Sequence, residues 1–197
     1  MNRGRLIAFE GIDGCGKSTQ VARLAASLGA AGHDVLATGE PTDGPTGWRI
    51  REMARSGRAL APEAELRWFV EDRRVHVAEV ITPALVAGRV VLTDRYFLST
   101  VAYQGARGLD WRQILADSEA EFPIPDRVIL LEIEPAQALA RSEARGAPIE
   151  GVFEHRDFLT RVAEIFRAID REYLVRVDGS ADPAVVEQSI RALDVLG

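Results

Sequence analysis

One lysine stands among the 24 basic residues of this chain; the other 23 are arginine. That lysine, Lys17, lies in Gly11-Ile12-Asp13-Gly14-Cys15-Gly16-Lys17-Ser18. A guanidinium fork suits bidentate partners, whereas an ammonium is a compact point charge that slips between crowded phosphate oxygens. The eight residues fit G-x-x-x-x-G-K-[ST], whose glycines let successive backbone N–H groups wrap a phosphate without Cβ clashes. Gly11, Asp13, Gly14, Cys15, Gly16, Lys17, Ser18 and Thr19 are therefore the candidate phosphate-binding residues, with the Ser18 hydroxyl placed for Mg2+. A dinucleotide fingerprint does not fit, because its third glycine would fall at Thr19.

A second pair of candidates, Asp94 and Arg95, follows the apolar run Val90-Val91-Leu92-Thr93. An aspartate there has the position of a second Mg2+ anchor, and an arginine beside it can cross-link the phosphates of two substrates. The plainer alternative is an aspartate that caps the next helix and an arginine in a surface ion pair.

Strands and helices must carry these groups. Apolar, β-branched runs at Leu6 to Phe9, Val35 to Ala37, Val90 to Leu92, Val128 to Ile133 and Leu174 to Val177 predict five buried strands. Helical stretches separate them, which predicts an α/β fold: a five-stranded parallel sheet with helices on both faces. Pro62, and Asp182 followed by Pro183, signal helix starts, while Gly29 and Gly88 are expected helix stops. In such a sheet ligands bind beyond the carboxyl ends of the strands. The glycine-rich loop, Thr38 to Gly44, and Thr93 to Tyr96 all fall there.

At 197 residues the chain is expected to form one domain over 1–197, with a polar insertion inside it. A net charge of −6 argues against sequence-independent binding to nucleic acid or to anionic membrane. One cysteine allows no internal disulfide, and the histidines have no metal-ligand spacing. No signal region or long apolar run appears, so a cytoplasmic location is expected.

Phe9-Glu10-Gly11-Ile12-Asp13-Gly14, Glu40-Pro41, Phe69-x-x-x-Arg73, Asp94-Arg95-Tyr96-x-x-Ser99 and Ala102-Tyr103-Gln104-Gly105 occur in that order. This ordered set resembles the thymidylate kinase family of P-loop nucleoside monophosphate kinases. The resemblance implies phosphoryl transfer from ATP, with Mg2+, to dTMP, feeding dTTP synthesis, by a homodimer. On that pattern Asp13 accepts from the 3′-hydroxyl of the acceptor, Phe69 stacks on thymine and Arg73 donates to its carbonyl. Tyr103 leaves no room for a ribose 2′-hydroxyl, and Ser99, Thr100 and Gln104 contact the base edge or phosphate. Glu40, Pro41 and Arg95 complete the acceptor site. Lys17, Asp94, Arg95 and a lid arginine carry the chemistry.

The resemblance places the lid at about 141–157, with Arg141, Arg145 and Arg156 as its arginines and Arg145 favoured for the reaction. Two departures from the family pattern stand out. Gly39 replaces the arginine that usually precedes Glu-Pro and holds the acceptor phosphate, which shifts that task to Arg95 with Arg49 or Arg51. Thr42 to Gly47 replaces a Gly-Gly-Thr run. Gly39 also keeps another pyrimidine monophosphate, dUMP or UMP, open as acceptor. A different class, an ATP-binding sensor without an acceptor, predicts binding without acceptor-dependent ADP formation. A guanine-reading switch is excluded, because its Asn/Thr-Lys-x-Asp motif needs a second lysine.

Overall fold

A computed structural model describes residues 3–56, 60–144 and 152–196. In chain order the elements are β1 (Arg5–Glu10), α1 (Lys17–Ala30), β2 (Val35–Gly39), α2 (Pro45–Ser56), α3 (Pro62–His76), α4 (Thr82–Val86), β3 (Val90–Asp94), α5 (Phe97–Ala106), α6 (Trp111–Glu121), β4 (Arg127–Glu132), α7 (Pro135–Glu143), α8 (Val152–Ala168), β5 (Leu174–Asp178) and α9 (Pro183–Arg191). A π-helical turn, Val77–Ile81, joins α3 to α4. Pro83, in the first turn of α4, has no N–H to close the usual helical bond, and the Thr82 N–H instead reaches back to Val77 O.

The five strands form one parallel sheet in the order β2-β3-β1-β4-β5. β1 is central, with Leu6 opposite Val91 on one side and Ala8 opposite Val128 on the other. Leu6 to Glu10, Val90 to Thr93 and Val128 to Leu131 are buried at every position. Alternate side chains of a strand point to opposite faces, so unbroken burial requires helices on both. The strands are thus the predicted ones; β1, β2, β3 and β5 run one or two residues further where their polar ends meet the site, whereas β4 starts one residue earlier and stops at Glu132, one short of the expected Ile133. Each large apolar side chain fully buried in this core contributes about 1.5–3 kcal/mol.

Helix ends follow the expected chemistry with one exception. Pro62 opens α3, and the Asp182 carboxylate accepts the Ala184 N–H at 2.9 Å to cap α9. Gly88, with φ of +80°, follows the end of α4. Gly29 does not stop α1: the helix runs on to Ala30, and Gly32, with φ of +90°, supplies the left-handed exit.

Candidate functional site

The glycine-rich loop leaves the buried end of β1 and turns into α1. Gly16 caps α1 with φ of +100° and has no atom within 4 Å of where a Cβ would sit, so it faces open space. Gly14, at φ of +89°, lies where a Cβ would come within 2.2 Å of Ala138 O in α7. Both positions therefore require glycine. Within the loop the Lys17 ammonium donates to Gly11 O and Ile12 O at 2.9 Å each, and to Cys15 Sγ at 3.6 Å. Cys15 is buried. The only lysine of the chain thus places its charge inside the curve of the loop.

Ser18, in the first turn of α1, donates its hydroxyl to Asp94 Oδ2 at the end of β3. The two oxygen donors expected to anchor Mg2+ are therefore side by side. Among the described residues no cluster of three or more His, Cys, Asp or Glu side chains could hold a metal alone. One hydroxyl and one carboxylate suit Mg2+, which keeps several waters and takes further oxygens from phosphates.

Arg95, the next residue, is a non-glycine in left-handed conformation, with φ of +71°. Its N–H donates to Phe9 O at 2.9 Å, and its carbonyl accepts the Thr93 hydroxyl at 2.8 Å. These bonds fix the turn against β1 and aim the guanidinium back across the loop. There it donates to Ser99 Oγ at 2.8 Å and Asp13 Oδ1 at 2.5 Å, and stacks 5.0 Å from the centre of the Tyr103 ring. The Tyr103 hydroxyl donates to Asp13 Oδ2 at 2.9 Å and accepts the Asp13 N–H at 3.1 Å.

Charge settles this trio. Desolvation pushes the Asp13 carboxyl up, but the Arg95 guanidinium, the Lys17 ammonium and the Tyr103 hydroxyl together hold it well below the usual carboxylate range. Burial and the Asp13 charge push the Tyr103 phenol up, so it stays protonated.

Two clefts meet at Arg95. The first, about 450 Å³, is lined by Asp13, Pro41, Arg51, Phe69, Arg95, Ser99, Thr100, Tyr103 and Gln104. The second, about 800 Å³ and open, runs past Ser18, Gly39, Glu40, Thr42, Asp94 and Arg95. Nine of the expected acceptor residues, Arg51 among them, thus surround one cavity, in the size range of small-molecule sites.

Other expected residues sit elsewhere. Arg49 is exposed and lies outside the first cleft, whereas Arg51, two residues on, lines it and donates to Pro41 O at 2.7 Å. Arg73 is 1% exposed and gives Nε and Nη2 to Glu40 Oε2, at 2.9 and 2.6 Å, and Nη2 also to Thr100 Oγ1 at 2.9 Å. Only its Nη1 lacks a partner. Glu40 faces this arginine and His76, whose Nδ1 is 3.0 Å from Oε1. Arg73 therefore sits behind Thr100, with one amino group left to give.

Arg141, expected among the lid arginines, is engaged with the loop after β5. It donates to Gly179 O at 2.7 Å and Ser180 O at 2.6 Å, so it anchors the loop after β5. Arg156 is exposed on α8. Arg145 and the rest of the lid from 145 to 151 lie outside the described residues.

Four residues near the site carry no assignment from sequence. Glu65, Arg107 and Phe158 line the first cleft, the first two as an ion pair at 3.1 Å. Glu10 closes β1 beneath the Arg95 turn and is fully buried. A charge ending an apolar strand run was a signal for Glu10; nothing local marked the other three.

A phosphate-wrapping loop after the first strand, a serine and an aspartate meeting beside it, and an adjoining cleft with an arginine at the junction define a P-loop phosphotransferase. The comparisons with known proteins agree. The thymidylate kinase family matches residues 9–190. The thymidylate kinase of Xanthomonas euvesicatoria pv. vesicatoria is 46% identical over 98% of this chain and 84% of its own length. Those of Desulfotalea psychrophila and Akkermansia muciniphila are 40% and 41% identical, each over 96% of this chain and covering 93% and 90% of their own lengths. The chain belongs to the thymidylate kinase family.

Proposed function

We propose that the protein transfers the γ-phosphoryl group of ATP to dTMP, giving ADP and dTDP and so feeding dTTP synthesis. The observation that carries this reading is the Arg95 guanidinium at the meeting of two clefts, one holding Ser18 and Asp94, the other Phe69 and Tyr103. Family membership supports it, and the curated relatives bear the name thymidylate kinase.

In this reading the ATP phosphates lie in the loop, with Lys17 on the β and γ oxygens. Ser18 and Asp94 would hold Mg2+, which would supply positive charge to the transferring group. An oxygen of the acceptor phosphate forms the new bond to the γ phosphorus in line, and the bond to the β,γ-bridging oxygen breaks, so that ADP leaves. No general base is needed, because a phosphate dianion is already nucleophilic at neutral pH. Positioning and charge stabilisation are the main demands of such a transfer. Arg95 and Arg51 hold the acceptor phosphate, Phe69 stacks on the base, and Thr100, Gln104 and the free Nη1 of Arg73 meet its edge. Tyr103 excludes a 2′-hydroxyl and Asp13 accepts from the 3′-hydroxyl. Arg145 and Arg156 of the lid close on the γ-phosphoryl group and exclude water. The working form is a cytoplasmic homodimer.

The test is ADP formation from Mg-ATP with dTMP, dUMP, UMP, CMP, AMP and GMP as separate acceptors, with Lys17→Ala as control. Turnover with dTMP well above the others, abolished in the variant, is expected. Equal or faster turnover with another acceptor refutes the assignment to dTMP. ATP binding without acceptor-dependent ADP refutes the kinase reading.

A further inference from the structure

Glu10 is the buried acid for which the transfer chemistry has no use. It is 0% exposed at the end of β1, directly after the apolar run Leu6 to Phe9. A carboxylate so placed needs a full set of donors, and α5 supplies them. Oε1 accepts the N–H of Tyr96 at 2.9 Å and of Ser99 at 3.0 Å, and Oε2 accepts the Ser99 hydroxyl at 2.5 Å. α5 has no cap of its own, because Tyr96 at its N-cap makes no side-chain cap bond. Glu10 therefore caps α5 from a neighbouring strand, 86 residues away from Tyr96 in sequence.

Capping alone would need two backbone contacts. The third contact leads toward the site: the Ser99 hydroxyl, having given its proton to Glu10, presents its lone pairs to Arg95 Nη1 at 2.8 Å. Arg95 can only donate, and Glu10, by taking the Ser99 proton, keeps that proton turned away from the guanidinium. Arg95 is the charged group facing Glu10, and Asp13 holds the other side of the same guanidinium.

We infer that Glu10 is a positioning residue for phosphoryl transfer, acting through Ser99 to hold the Arg95 guanidinium where the two clefts meet. This rests on the proposed kinase reading and adds a residue that touches neither substrate. Burial pushes the Glu10 carboxyl up to about 7, so the relay is best tested at pH 8, where the carboxylate prevails.

Glu10→Gln keeps an oxygen for the two backbone N–H groups but turns a donor toward Ser99, so the Ser99 proton loses its acceptor and is free to turn toward Arg95. Ser99→Ala removes the relay while leaving both backbone bonds of Glu10 intact. In each folded variant the KM for dTMP should rise roughly tenfold, the effect of losing one charge-assisted hydrogen bond at the acceptor phosphate, with the KM for ATP unchanged. A loss of folded protein would lower kcat alone and leave both KM values in place. The double variant should be no worse than the weaker single one. Should Glu10→Gln fail to fold, Glu10→Asp, whose shorter side chain keeps the charge but withdraws it from Ser99, carries the test with Ser99→Ala as its reference.

The side-chain Nε–H resonance of Arg95, assigned with Arg95→Lys, gives a readout independent of turnover. It should shift in both variants. An unchanged dTMP KM and an unmoved Arg95 resonance in Ser99→Ala overturn the inference, as does a double variant whose effects simply add. If the unaltered protein shows no acceptor-dependent turnover, the kinase reading falls, and the Arg95 resonance alone decides the relay.

Discussion

Removing Arg73 while leaving Glu40 in place should be the most destabilising single change near the site. Their side chains are 1% and 4% exposed and share two hydrogen bonds, at 2.9 and 2.6 Å. The guanidinium also lies 5.4 Å from the ring centres of both Tyr96 and Phe122, so few waters can reach it. In Arg73→Met the carboxylate keeps only His76 Nδ1, at 3.0 Å. Breaking a buried pair by removing one partner costs about 3–5 kcal/mol, because the remaining charge is stranded. At this chain length 1 kcal/mol moves Tm by roughly 2–4 °C, so a fall of about 6–20 °C is expected. The assay is urea denaturation with thermal melting of Arg73→Met, Glu40→Gln and the double variant, read as a cycle. The double should recover at least half of the Arg73→Met loss, since the neutral amide that replaces the Glu40 carboxylate brings no charge to strand. A single variant that loses less than about 1 kcal/mol, or a double that loses the sum, refutes the coupling.

Tyr103→Ala removes the ring stacked on Arg95, so discrimination between dTMP and its ribose counterpart should fall by about tenfold or more, measured as the ratio of their kcat/KM values. Gly14→Ala places a Cβ within 2.2 Å of Ala138 O at φ of +89°, and should abolish ATP binding by calorimetry while the far-ultraviolet dichroism is kept. Glu10 gives a pH signature. Its carboxyl is raised from 4.5 to about 7, so the folded state holds that proton more tightly than the unfolded chain. The stability this provides is fully present below pH 4.5 and is lost as pH rises through 7. Of the fall in stability between pH 5 and pH 8, about 3 kcal/mol should vanish in Glu10→Gln, as measured by urea denaturation at both values.

Local chemistry was legible in the sequence and tertiary pairing was not. The loop from Gly11 to Ser18 and the Asp94-Arg95 step could be read because phosphate chemistry demands particular residues at short, fixed spacings. The five strands could be read because parallel strands buried on both faces leave unbroken apolar runs. Gly29 misled because a helix tolerates a glycine where nothing crowds it, and nothing lies within 4 Å of its Cβ position. Arg73 was expected in the acceptor site only through the family resemblance, and its engagement with Glu40 spans 33 residues and leaves no local pattern. Arg141 shared a helical spacing with Arg145, and that spacing carried no trace of the loop after β5 that Arg141 anchors.

Gly39 gives the site its particular balance of charge. It lies opposite Asp94 in the β2–β3 register, and a Cβ there would come within 3.0 Å of Asp94 O and 3.3 Å of Asp94 Cβ. The strands thus meet closely at Asp94, the carboxylate that accepts the Ser18 hydroxyl, and the family pattern has an arginine where Gly39 stands. Without that arginine, the proposed reading puts more of the acceptor phosphate on Arg95 and Arg51. Arg95 is already held, by Asp13 and Ser99 on its guanidinium and by Phe9 and Thr93 on its backbone. A left-handed non-glycine residue of this kind costs on the order of 1–3 kcal/mol and persists only where its surroundings over-determine it. That cost is met in folding, before any phosphate arrives. A guanidinium fixed in advance needs little reorganisation as charge develops on the transferring group, which is where such a donor is most effective. The strain at Arg95 and the vacant side-chain position at Gly39 are therefore two parts of one arrangement, in which, on the proposed reading, a preset Arg95 takes the acceptor phosphate together with Arg51.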